Sequence, residues 1–196
     1  MWRFMTTAIW LSSVPPGHCT LNPTRVPKPR DLNNGLSVAS TFPSGVSYRM
    51  SDRFPDDLLL SDNFKVAAQV LVSEPLQLRL VSALPEHRLE FLPVSIINHK
   101  GRVASDRYFI LHPLDVVDCI DIKKSKVSWN PLNKTEVMSS KGLVIDENAV
   151  PENLRMFRPR HWGGYIMLRP SLADELGEAG FSGLRFIPAT GFTGIG

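Results

Sequence analysis

The sequence predicts an α+β fold: a mostly antiparallel or mixed β-sheet packed against a few helices, with a loop-rich N-terminal segment. Three observations carry this. From Leu89 onward, β-branched and aromatic residues come in short runs separated by turn residues. Near the C-terminus, "SLADELGEAG" interrupts those runs with helical spacing. Residues 12–47 collect many of the prolines, glycines and serines, which break regular structure. At 196 residues, 43% of them hydrophobic, the chain is expected to form one domain over 1–196 with a sizeable core.

The elements follow in order. Trp2, Phe4 and Trp10 are strand-prone and place a first strand at the N-terminus. A signal peptide fits less well there, because Thr6, Thr7, Ser12 and Ser13 interrupt the apolar run and "PPGHC" stands where a cleavage site would. The proline-rich stretch 12–47 reads as loop. Phe64, Ala67, Ala68 and Leu71 recur at helical spacing behind Ser61 or Asp62, which predicts a helix near 62–73. "PLQLRLVSAL" fits helix and strand alike. "LEFLPVSIIN" and "RYFILHP" read as strands joined by a turn at Gly101. "DVVDCIDI" reads as a third strand, with "KGLVID", "RMFRPRH" and "YIMLRP" as shorter ones. Ser171 suits the N-cap of the next helix, with Asp174 and Glu175 in its first turn, Leu172 and Leu176 on one face, and Gly177 or Gly180 ending it. "LRFIP" is the last strand. The strand–helix–strand spacing permits a parallel crossover. The tail "ATGFTGIG" is expected to fray.

Charge and cysteine content narrow the function classes. Lys+Arg 22 against Asp+Glu 19 gives +3, too small an excess to imply nucleic acid. Cys19 and Cys119 do not make a disulfide framework, so reduced thiols and a cytoplasmic location are expected. No run approaches the roughly 20 apolar residues of a membrane span.

The acids of "DVVDCIDIKKS" raise a metal or nucleophile reading. On a strand Asp115 and Asp121 would lie roughly 20 Å apart, too far to share an ion. Cys119 sits among Val117, Ile120 and Ile122 with no activating cation beside it, so it reads as core. The five histidines lack zinc-ligand spacing, and no G-x-S-x-G elbow or phosphate loop occurs. No metal and no cofactor are expected. His112 and Asp115 in "HPLD" can orient one another, which keeps a hydrolase-like site open as an alternative. A non-catalytic scaffold or nucleic-acid-binding accessory protein is another.

"RMFRPRHWGGY" is the most unusual stretch. Arg155, Arg158, Arg160, His161 and Trp162 fall within eight residues, and Arg and Trp are types that dominate binding hot spots. A structural reading stands beside it: Phe157 and Trp162 in the core, the arginines in solvent. The double glycine reads as a tight turn.

The "FLPV", "YFILHPL" and "VDCIDIKKS" strands, the "MFR" element and the closing "SLADELGEAGFSGLRFIP" unit resemble, in order and spacing, immunity protein family eleven of the bacterial polymorphic toxin systems, once a domain of unknown function. "DRFPDDLLLSDNFKV" resembles the family's lead-in. The resemblance covers roughly residues 50–190. It implies a cytoplasmic protein that binds and blocks one cognate toxin encoded nearby, with no catalytic residues to carry over; the charge and hydropathy above add the expectation of no nucleic-acid or membrane partner. It also makes "DCIDIKKS" a structural hallmark, with Asp121 and Ser125 fixing a strand exit.

Overall fold

The computed structural model describes residues 6–25 and 32–195. Trp2 and Phe4 of the expected first strand lie outside them. In chain order the first half holds β1 (Ala8–Ser12), β2 (Leu21–Arg25), β3 (Ser47–Met50), β4 (Asn63–Val66), β5 (Gln69–Ser73), α1 (Glu74–Ala83), β6 (Leu89–Ile97) and β7 (Val103–Pro113). The second half holds β8 (Val116–Val117), β9 (Val127–Trp129), β10 (Val137–Lys141), β11 (Met156–Pro159), β12 (Met167–Leu168), α2 (Pro170–Glu178), β13 (Leu184–Pro188) and β14 (Thr193–Ile195).

These strands make three sheets. One runs β2-β3-β6-β7-β5-β4, with β3 and β6 parallel and the other neighbours antiparallel. A second runs β13-β1-β12-β11-β8, with only its β11–β8 pair parallel. A small third runs β14-β10-β9. The mixed sheets and two helices are the predicted α+β class. Because β12 and β13 are both antiparallel to β1, they are parallel to each other. The strand–α2–strand unit is therefore the expected crossover, with β1 lying between its two strands.

The two larger sheets face each other with α1 and α2 across a central core, where Trp10, Val70, Val72, Leu76, Leu111, Met156 and Leu172 meet. Each sheet also buries its outer face. Tyr48, Leu71, Leu92 and Ile110 pack under Cys19, Leu32 and Val46. Ile9, Phe157 and Met167 pack under Cys119, Val137 and Leu143. Residue alternation assigns the faces: Val70 and Val72 point to the central core and Leu71 away from it. Asn63, fully buried, ties the sheets at their join. It accepts from Trp10 Nε1 at 2.9 Å and donates to the carbonyls of Leu11 (3.0 Å) and Gly183 (2.9 Å).

Several expectations need correction. The segment 62–73 is the β4–β5 hairpin, turning at Ala67 with φ 52, and not a helix. Every residue of β5 is buried, so its apolar positions fill both faces and mimic helical spacing. The helix comes next, at Glu74, where Ser73 Oγ accepts from the Leu76 N–H at 3.4 Å. Of "DVVDCIDI", only Val116–Val117 is a strand; Ile120 makes a single bridge to Ile145. Asp121 then closes a turn, accepting from the Lys124 N–H at 3.1 Å. Ser125 reaches not a local group but Val144, accepting from its N–H at 2.9 Å and donating to its carbonyl at 3.3 Å. Of "KGLVID", Lys141 ends β10 and Ile145 makes the single bridge to Ile120; the rest is not strand. α2 starts at Pro170 behind Arg169 with no side-chain cap, so Ser171 is not its N-cap and Asp174 and Glu175 lie past its first turn. Gly180, at φ +76, follows its end as expected. The stretch 12–47 is not all loop, since it contains β2. The described part of the tail is paired, β14 with β10, where fraying was expected. Among the described residues no helix is long and apolar enough to cross a membrane.

Candidate partner-binding site

β11 carries "MFRP" and ends in a turn in which the Trp162 N–H donates to the Pro159 carbonyl and the Tyr165 N–H to that of Trp162, both at 3.1 Å. The strand pleat and this turn send the five singled-out residues in different directions.

Arg155 faces inward. Its guanidinium meets Glu175 of α2 at 2.7 Å and donates to the Ala83 carbonyl at the end of α1 at 3.2 Å. Glu175 also pairs with Arg79 of α1 at 2.9 Å. Arg155 thus joins a strand to both helices. Arg158 is deeper still, 2% exposed, so the expectation that the arginines lie in solvent is corrected here. Its Nε donates to the Pro113 carbonyl at 3.3 Å and its Nη1 to the Gly163 carbonyl. Burial lowers its pKa to about 10. Trp162 is buried against Tyr165 and Phe192, with ring centroids at 4.8 Å and 5.7 Å.

Arg160 and His161 come after the strand and reach the surface. Arg160 Nε lies 3.6 Å and His161 Nε2 3.7 Å from the carboxylate of Asp118. His161 Nδ1 donates to the Thr135 carbonyl at 3.0 Å, and its ring stands edge-on to Trp129 at 5.6 Å. These contacts lean the turn on the β9–β10 connection. A cleft of about 390 Å³ opens there, lined by Asn33, Asn34, Thr135, Glu136, Arg160 and His161 among others.

Two further features shape its floor. A Cβ on Gly163 would stand 1.9 Å from the Asn33 carbonyl oxygen, so only glycine lets these chains cross. Lys65, on β4, donates from Nζ to the Gly164 carbonyl at 3.0 Å and lies 4.8 Å from the Tyr165 ring centroid. Burial, with the nearby Arg158 charge, pulls its pKa down to about 8. Two successive carbonyls of the "WGGY" turn therefore each hold a cation. Sequence reading missed Lys65 and Asn33; the double glycine was their one visible trace.

The β9–β10 connection presents its own surface. Leu132 is 95% exposed at its tip, with Trp129 and Met138 also exposed. The loop is fixed from within: Asn130 Oδ1 accepts from the Leu132 N–H at 2.9 Å, and the Asn130 N–H donates to the Glu136 carbonyl at 2.8 Å.

His112 and Asp115 go to different partners. His112 is fully buried on β7 and donates from Nε2 to the Leu36 carbonyl at 2.8 Å. Burial, helped by Arg158, holds its pKa below the usual histidine value. Asp115 pairs loosely with Arg88 at 3.9 Å. Cys119 is 1% exposed and its thiol is pushed up to about 12 by burial, the state of a core residue. Among the described residues no three His, Cys, Asp or Glu side chains are grouped to hold a metal ion.

A family model described as an immunity protein family, Imm11, matches residues 15–191 of the 196-residue chain. No curated protein matches it.

Proposed function

Since this chain belongs to the Imm11 immunity protein family, we propose that it binds and neutralises a cognate bacterial toxin encoded beside it, in the cytoplasm of the cell that makes both. It works as a binding protein and performs no chemistry of its own. The observation that supports a contact surface is the pairing of Arg160 and His161 with the internally fixed loop that exposes Leu132. A loop backbone already tied by its own hydrogen bonds before binding limits the ordering penalty of association. Within the segment 155–162, Arg160 and His161 touch the toxin. Arg155, Arg158 and Trp162 hold them in place from behind.

The test is direct. The toxin domain from the adjacent gene is expressed with and without this chain, and the purified pair is titrated by calorimetry. Rescue of growth together with a saturable complex is expected. Toxicity unrelieved by the chain, with no complex at micromolar concentrations, would sink the reading.

A further inference from the structure

Arg158 is a buried cation with no counter-charge among the described residues. Its hydrogen bonds go to the carbonyls of Pro113 and Gly163, and no ion pair among the described residues includes it. Lys65, the next cation in, is likewise held by a carbonyl and a ring face, not by a carboxylate. Both sit beneath the Gly163–Gly164 turn that floors the cleft. A charge removed from water normally comes with a partner of opposite sign. Here the partners are dipoles, so positive potential remains at the cleft.

The rim is closer to balance, so the positive surplus comes from the floor. Arg160 and His161 share Asp118 at 3.6 Å and 3.7 Å, loose contacts with an aspartate whose side chain is 57% exposed. Glu136 is the other acid at the cleft. Arg160 keeps donors free for a planar, two-oxygen acceptor, the geometry that guanidinium groups match best. Trp129, edge-on to His161, and Leu132, in the same loop as the lining residue Thr135, are exposed and offer apolar contact.

We propose that the cleft between the Asn33–Asn34 loop, the start of β10 and the Arg160–Gly164 turn receives a carboxylate side chain from an acidic loop of the toxin, with Leu132 and Trp129 covering an apolar neighbour of that residue. This rests on the toxin-binding reading above. A carboxylate suits the site better than the phosphate of a nucleic acid. Asp118 and Glu136 oppose a more highly charged group, and a net charge of +3 gives no wider basic field to guide a polyanion. Once a partner closes over the cleft and excludes water, the fields of Arg158 and Lys65 act through a lower dielectric and strengthen the contact.

Two measurements test this. In the first, the isotope-labelled full chain is titrated with a blocked tetrapeptide carrying a central glutamate–leucine pair, with its glutamine counterpart, and with inorganic phosphate. Saturable shifts of the Arg160 side-chain, Gly163 and Gly164 signals are expected with the glutamate peptide. They should be at least about tenfold weaker with the glutamine peptide, with phosphate, and in Arg160→Gln. Equal response to glutamate and glutamine, tighter binding of phosphate, or shifts that miss the cleft would overturn the proposal. In the second, Arg160→Gln should weaken the toxin complex by about tenfold or more while the fold is unchanged. If the toxin binds wild type and Arg160→Gln alike, the immunity reading stands and the carboxylate site is wrong. If the peptide titrates the cleft but the neighbouring toxin does not bind, the carboxylate site stands and the immunity reading is wrong.

Discussion

Arg155 and Arg158 belong to the half of the 155–162 segment that the fold takes inside; Arg160 and His161 belong to the half that it leaves at the surface. The inner pair joins elements. Arg155 links β11 to both helices, and Arg158 fastens β11 to the end of β7 and to the Gly163 turn. The side chains of the outer pair meet Asp118, the Thr135 carbonyl and the ring of Trp129. Three arginines and a histidine close in sequence are thus two different devices. What separates them is the end of β11 at Pro159. Up to the end of the strand the arginines satisfy their donors within the fold: Arg155, just before β11, on Glu175 and the Ala83 carbonyl, and Arg158, within it, on backbone carbonyls. Beyond it, solvent is within reach.

Substitutions can break or sharpen this contrast. The largest effect is expected at the crossing behind the inner pair. Gly163→Ala sets a methyl 1.9 Å from the Asn33 carbonyl oxygen, where backbone would have to move. A loss of about 4 kcal/mol or more in chemical denaturation, or failure to fold, is expected. Gly177→Ala in α2 is the control: a Cβ there meets nothing within 4 Å, and a gain of up to about 1 kcal/mol is expected from helix propensity. Equal losses at both glycines would show that the crossing is not tight.

Next comes the inner arginine itself. Arg158→Ala empties buried volume and leaves the Pro113 and Gly163 carbonyls without their donor. A loss of about 3 kcal/mol is expected, moderated by relief of the uncompensated charge. A variant as stable as wild type would mean that desolvation dominates.

Lys65 gives a smaller, pH-dependent effect. Its folded pKa of about 8 lies below the ordinary 10.5, so between those values the unfolded chain holds more protons than the folded one. Stability contributed by this group therefore rises as pH increases through that window. Both buried cysteines have raised pKa values and act in the opposite sense, so the comparison is made against Lys65→Met. Wild type should gain about 2 kcal/mol on the variant between pH 7.5 and pH 10. Parallel stability profiles for the two would remove Lys65 from the account.

The smallest effect is expected outside. Arg160→Ala should change stability by no more than about 0.5 kcal/mol, since its ion pair is long and solvated. A loss comparable to that of Arg158→Ala would erase the distinction between the two halves.

Much of the scaffold is legible in the chain. The β6–β7 hairpin is spelled by two apolar runs around Gly101, and α2 by Leu172 and Leu176 on one face with Gly180 after its end. These patterns are local: a strand or helix with one buried face writes its period into the residues. The 62–73 hairpin was misread because β5 is buried on both faces, which erases the period that separates strand from helix. The cleft was not legible at all. Its walls come from residues 33, 135 and 160, and no spacing rule joins them.

The sequence by itself determined the α+β class, the buried thiol at Cys119 and the family, because each rests on residue type and order over a continuous stretch. Only the tertiary structure decided which arginine is interior and which is free. That choice depends on what lies across from each side chain. Pro113 and Gly163 turn their carbonyls to Arg158, while Arg160 meets a half-exposed aspartate. An arginine carries the same five donors in either setting, so its type alone cannot say which acceptors will surround it.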